Sequence, residues 1–145
     1  MSLDIALQMD PIESIDILGD STFALALEAQ SRGYKLFHYL PENLSLKDGK
    51  VIALAHPLTL SRQDTNFFTK GKIQITDLAE VDVVLMRQDP PFDMSYITTT
   101  HILDHIHPKT LVVNDPTSVR NSPEKLFVTH FKGLLPPTLI TPETS

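Results

Sequence analysis

The sequence predicts an α/β fold: an open, mostly parallel sheet with helices on both faces and an inserted β-hairpin. Three observations carry this reading. Val83, Val84, Leu85 and Met86 form an apolar run with no polar face, as a central strand covered on both sides by helices requires. Residues 3–39 read as strand, helix, strand at the length of a βαβ unit. Between Pro41 and Thr76 the pattern turns antiparallel, with Asp48-Gly49 set between two short apolar runs, the best local signal for a tight hairpin.

In chain order, Leu3, Ile5, Leu7 and Met9 alternate with Asp4, Ala6 and Gln8, which predicts a first strand with one strongly apolar face. Asp10-Pro11 ends it. Asp20 or Ser21 can cap a helix through Phe23, Ala24, Leu27 and Glu28, and Gly33 supplies the left-handed residue that closes it. Tyr34 to Tyr39 is the second strand, parallel to the first. After the hairpin in LSLKDGKVIAL, the polar stretch SRQDTNFFTKGK predicts a mobile loop anchored only by Phe67 and Phe68. The Val83 strand, a helix over roughly Met94 to His107 and a strand from Thr110 to Val113 restore the α/β alternation. Ser122-Pro123-Glu124 opens a further helix with a cap, a proline in the first turn and an acid near the helix dipole. Thr138 to Thr141 predicts a last short strand, and Thr141-Pro142-Glu143 repeats the helix-opening pattern just before Ser145. That ending suggests either a cut fragment of a longer protein or a frayed natural tail.

Composition narrows the function. A chain of 145 residues that is 41% hydrophobic can bury one ordinary core. Its formal net charge of -6, with no basic block, argues against binding nucleic acid. No apolar stretch approaches the length of a membrane span, and MSLDIALQMDP lacks the basic region and long apolar core of a secretory signal. The absence of cysteine removes disulfides, thiol nucleophiles and Cys-based zinc sites, and a cytoplasmic location is expected. The pattern G-x-G-x-x-G does not occur after the first strand, G-x-x-x-x-G-K-[ST] does not occur at all, and no nucleophile elbow follows a strand.

Met9-Asp10-Pro11, Gln88-Asp89-Pro90 and Asn114-Asp115-Pro116 each place an aspartate before a proline just after an apolar strand. Proline keeps the preceding residue extended, so each carboxylate is limited in direction and the loops can converge on one sheet edge. The alternative is that the aspartate caps the next helix and the proline fills its first turn, the reading favoured for Asp115. Arg87 and Asp89 leave their strand at its carboxyl end, where open α/β sheets bind ligands. The Arg87 fork suits an anionic substrate, and the competing reading is a salt bridge to Asp89 or Asp93. His101 and His105 share a helix face, but Tyr96, Ile102, Leu103 and Ile106 define the buried side nearly opposite. They are expected to be exposed, as His107 completes the cluster without a carboxylate to finish a tetrahedral shell. Lys125 is either a solvated charge or a phosphate contact.

MDPI at 9–12, DSTFALALEAQSRGY at 20–34, LMRQDPPFD at 85–93, VNDPTSVRNSPEKLF at 113–127 and PPTLIT near the end together resemble the amino-terminal part of prokaryotic glutathione synthetase. The resemblance covers nearly the whole chain but less than half of such an enzyme. It implies a Rossmann-like pre-ATP-grasp domain over residues 1–122, with 123–145 connecting to a missing ATP-grasp domain. It further implies an ATP- and magnesium-dependent ligase that joins γ-glutamylcysteine to glycine through an acyl phosphate, chemistry that needs positive charge, metal and aligned reactants. Carried over by position, Arg87 is a substrate-side contact, Lys125 a contact to nucleotide phosphate, and Asp10 and Ser21 loop residues facing the same cleft, beside Asp89. Gln88 stands where the family commonly has lysine, which lowers the local charge. The resemblance places the magnesium carboxylates elsewhere, so this chain alone is expected to be inactive. Family enzymes assemble as homo-oligomers. The other functional reading is a non-catalytic α/β binding or interaction module that keeps the fold and cleft.

Overall fold

The predicted first strand, β1 (Asp4–Gln8), lies in the interior of the sheet and is enclosed on both faces. Ile5 and Leu7 point to one side, where they cluster with Met9, Ile12, Phe23, Ala26 and Leu36. Ala6 and Gln8 point to the other, and both are fully buried. The polar Gln8 is tolerated there because the Tyr39 hydroxyl donates to its Oε1 at 3.1 Å while its amide nitrogen donates to Gln88 Oε1. The computed structural model from which these positions come describes residues 2–63 and 65–143.

α1 (Ser21–Ser31) is capped by Asp20, whose Oδ1 accepts from the Phe23 N–H at 2.6 Å. Gly33, with φ of 80°, ends it in the left-handed turn its lack of a Cβ permits. β2 (Lys35–Tyr39) then pairs parallel with β1, Ile5 opposite Leu36. Phe23 and Ala26 press α1 onto the Ile5 and Leu7 face. Full burial of a side chain such as Phe23 or Leu7 contributes about 1.5–3 kcal/mol.

The hairpin forms as predicted. β3 (Leu44–Lys47) and β4 (Lys50–Leu60) pair antiparallel with Lys47 opposite Lys50. Asp48 and Gly49 have φ of 51° and 78°, the two positive values that a tight primed turn requires. The stretch expected as a mobile loop, residues 61–72, contributes one short strand at Phe68–Lys70, and a second strand follows it. β5 (Phe68–Lys70) and β6 (Gln74–Asp77) both pair antiparallel with β4, which is long enough to hold four strand partners including β2. Its unpaired N–H and C=O groups draw in segments whose own apolar content is low. Phe67 and Phe68 do serve as anchors: the Phe67 ring packs edge-on against Phe23 at 5.8 Å and against Phe68 at 5.0 Å.

β7 (Val83–Met86) pairs parallel with β1 on the side opposite β2, and β8 (Leu111–Val113) pairs parallel with β7. Between them α2 (Met94–Asp104) starts at Asp93, whose Oδ1 accepts from Tyr96 N–H at 2.9 Å. It ends sooner than expected, because Pro108 lacks an N–H and keeps its predecessor out of helical geometry. Leu103 and Ile106 turn this segment toward Ala6, Val84 and Val112, so α1 and α2 cover opposite faces of the sheet. α3 (Pro116–Asn121) packs on the α2 side through Val119.

Two expectations near the end are corrected. α4 (Glu124–Phe127) has Pro123 at its N-cap and no side-chain cap, so Ser122 does not play the capping role. Pro123 itself is not helical, with φ of -59° and ψ of 120°, so the helix starts one residue later than the motif predicts. Thr138 to Thr141 forms no strand: it pairs with none of the eight strands, and Leu139 is 85% exposed. An extended segment without a sheet edge to join has no ladder to stabilise it. The Thr141 hydroxyl does accept from Glu143 N–H at 3.0 Å, and the remainder of the helix start expected at Thr141-Pro142-Glu143 lies outside the described residues. Among the described residues no helix is long and apolar enough to cross a membrane.

The sheet order is β3-β4-β2-β1-β7-β8. The chain therefore leaves β1 toward β2 on one side and leaves β7 toward β8 on the other. That reversal opens a crevice at the carboxyl ends of β1 and β7.

Candidate functional site

The crevice is where the sequence-predicted residues meet. The ladder between β1 and β7 continues past Met86, with Arg87 N–H donating to Gln8 carbonyl oxygen at 2.8 Å, which fixes where the Arg87 side chain leaves the sheet. Its guanidinium reaches across to the first turn of α1: Nε donates to Thr22 Oγ1 at 3.0 Å and Nη2 donates to Ser21 Oγ at 2.8 Å. Among the described residues no carboxylate lies within ion-pairing distance of Arg87. Of the two expected salt-bridge partners, Asp93 caps α2 and Asp89 is exposed. Hydroxyl oxygens orient the guanidinium without neutralising it, so its positive charge remains available to an incoming anion.

Asp10 and Asp89 are joined directly, since Asp10 Oδ2 accepts from Asp89 N–H at 2.8 Å. Two of the three Asp-Pro loops thus converge. The third does not: Asp115 caps α3 by accepting from Ser118 N–H at 2.7 Å, and it also faces His107 Nε2 at 3.3 Å. Those Ser118 hydrogen bonds hold the Asp115 carboxyl below its ordinary range. Its role is structural, as capping logic favours.

Asp10, Ser21, Arg87 and Asp89 line one cavity of about 170 Å³ together with Met9, Ile15, Gly19, Asp20 and Thr22. Tyr96 of α2 feels the same charges. Burial pushes its phenol up, Arg87 opposes this, and Asp89 and Asp10 add to it. The cavity combines one guanidinium with three carboxylates, from Asp10, Asp20 and Asp89. Three negative side chains against one positive make the lining net negative, which disfavours a polyanion such as a triphosphate and leaves Arg87 as its one cationic group.

Lys125 is exposed on α4 and is not among the residues lining this cavity. His101 and His105 stand exposed on and just after α2, where helical periodicity puts them. Among the described residues no group of three or more His, Cys, Asp or Glu is placed to hold a metal ion. The net negative lining of the cavity does not suit a nucleotide triphosphate.

Sequence reasoning missed Thr22, Asp20 and Gly19 as lining residues. Their signal was their position: they form the turn that opens α1 directly after the first strand, the usual ligand-facing loop of such a unit. The missing information was that β7 lies beside β1, which brings Arg87 to residues 65 and 66 positions earlier.

A family model described as "Prokaryotic glutathione synthetase, N-terminal domain" matches residues 3–120. The chain belongs to that family. Its relatives include the glutathione synthetase of Mesorhizobium japonicum, 61% identical over 141 residues that cover 97% of this chain and 45% of the relative. That of Agrobacterium fabrum is 56% identical over 142 residues, covering 98% of this chain and 44% of the relative. That of Pseudomonas putida is 41% identical over 142 residues, covering 97% and 45%. The chain thus spans a little under half the length of the curated relatives it matches. Within the family match lie all four cavity residues expected from sequence, Asp10, Ser21, Arg87 and Asp89; Lys125 falls beyond it.

Proposed function

We propose that this chain forms the substrate-side part of a glutathione synthetase, an ATP- and magnesium-dependent ligase that joins γ-glutamylcysteine to glycine. In this reading residues 1–122 are the pre-ATP-grasp domain and 123–145 lead to an ATP-grasp domain. The outward-facing Leu126, Phe127, Phe131 and Leu134 support this, because apolar side chains at such density suit a segment that packs on further chain. Homo-oligomeric assembly and a cytoplasmic location belong to the same proposal.

The observation that carries the reading is the Arg87 guanidinium, held by the hydroxyls of Ser21 and Thr22 at the crevice and left without a carboxylate partner among the described residues. Its role is to bind a carboxylate of the dipeptide and orient it. A charge-assisted contact of this kind contributes about 1.5–3 kcal/mol. Asp10 and Asp89 hold the two strand-end loops at a fixed separation around it. ATP and magnesium, when bound by the full-length protein, supply the phosphoryl group and the positive charge that stabilises its transfer. This chain's residues do not build that part of the site, and Lys125 is the one position proposed to approach a nucleotide phosphate. The chain by itself is accordingly inactive.

The test is phosphate release by the full-length protein and by the 145-residue chain, each rigorously purified. The full-length protein should release phosphate only with ATP, magnesium, γ-glutamylcysteine and glycine all present. Turnover by the short chain, or indifference of the full-length protein to the dipeptide, would defeat the proposal.

A further inference from the structure

We propose that His38 is a positioning residue for the crevice, holding the Asp10 loop in place through a hydrogen bond from its ring to the Asp10 backbone. His38 lies on β2 and is 1% exposed. Strand alternation puts it on the same side as Leu36, beneath the loop that runs from β1 into α1. Its Nε2 is 3.2 Å from the Asp10 carbonyl oxygen. A carbonyl only accepts, so Nε2 carries the proton and donates.

The other ring nitrogen, Nδ1, is buried with no hydrogen-bond partner. In the Nε2–H tautomer it is a bare lone pair, whereas protonation would create a buried donor with nothing to receive it. The ring is therefore held neutral. The charges around it are Lys70 of β5, Glu13 in the loop above, which pairs with Lys70 at 2.6 Å, and His56 opposite on β4. None of them supplies Nδ1 with a partner.

A slot serving packing alone would be filled by leucine without an orphaned nitrogen. The imidazole instead spends its one hydrogen bond on the residue whose carboxylate reaches Asp89. The resulting chain of contacts runs from His38 Nε2–H to Asp10 carbonyl, and from Asp89 N–H to Asp10 Oδ2, at 3.2 and 2.8 Å. It ties β2 to the two loops that flank Arg87.

The experiment compares His38→Leu and His38→Gln in the full-length protein, because a glutamine amide nitrogen can stand where Nε2 stands. Hydrogen exchange at the Asp89 amide is read by NMR, alongside the unfolding midpoint. In His38→Leu that exchange should accelerate roughly three- to tenfold while distant core amides keep their rates, and His38→Gln should restore it. The dipeptide KM should rise in parallel with little change in kcat; this second arm rests on the proposed ligase activity, whereas the exchange arm does not. Unchanged Asp89 exchange in His38→Leu, or equal acceleration in both variants, would overturn the proposal. Should His38→Leu fail to fold, His38→Asn, whose amide is too short to reach Asp10, takes its place against His38→Gln.

Discussion

The carboxylate of Asp10, at the end of β1, accepts a hydrogen bond from the backbone N–H of Asp89, just past the end of β7, at 2.8 Å. Through this contact two loops that are 79 residues apart act as one wall of the crevice. Replacing Asp10 with alanine leaves the Asp89 N–H without its partner, whereas asparagine keeps an acceptor at the same reach. We expect Asp10→Ala to lower stability by about 1 kcal/mol and raise the dipeptide KM of the full-length protein, with Asp10→Asn milder on both counts. Chemical denaturation and steady-state kinetics on the two variants check this.

Asp20 caps α1 and so positions Ser21 and Thr22 against Arg87. Asp20→Ala should cost about 1 kcal/mol of stability, as loss of a helix cap does, and Asp20→Ser should recover most of it. Equal midpoints for the wild type and both variants in denaturant would show that the cap contributes nothing.

The buried pair Tyr39 and Gln8 makes a sharper stability test. Tyr39→Phe removes the donor but not the ring, leaving Gln8 Oε1 enclosed and short of a partner. About 1–3 kcal/mol should be lost, more than a surface hydroxyl would cost. The double variant Tyr39→Phe, Gln8→Leu should regain part of the loss if the unpaired group is its cause.

Stability should also depend on pH through His38. Burial lowers its pKa from 6.5 in the folded chain, with the bond to Asp10 partly opposing this. The unfolded chain then binds a proton before the folded chain does. Stability from the neutral ring is complete above pH 6.5 and is lost as pH falls from there toward the depressed folded value. The slope can reach about 1.4 kcal/mol per pH unit, and His38→Gln should flatten it in denaturation curves taken across that window.

Much of the architecture was legible because it is written locally. The apolar run at Val83 to Met86, the Asp48-Gly49 turn, Asp20 as a cap and Gly33 as a stop each act over a few residues. What could not be read was long-range. Nothing near Gln8 indicates that Tyr39 and Gln88 will satisfy it, so the strand read as having one apolar face. Lys70 and Gln74 become strand residues only because β4 is long enough to pair with them. Thr138 to Thr141 shows the converse, an extended pattern without a sheet edge to join. The site was half legible for the same reason: Arg87, Asp10 and Asp89 announced themselves as strand ends, while Thr22 and Asp20 joined them through a strand order that only the fold reveals.

The central claim is that Arg87 presents its guanidinium to a substrate carboxylate, and the dipeptide KM of Arg87→Met in the full-length protein tests it most directly. Loss of one charge-assisted contact should raise that KM by roughly one to two orders of magnitude, with Arg87→Lys also impaired because an ammonium lacks the fork held by Ser21 and Thr22. The unfolding midpoint, measured on the same samples, should move little, since no carboxylate among the described residues is left unpaired. An unchanged KM together with a large fall in the midpoint would contradict the account and make Arg87 a structural residue.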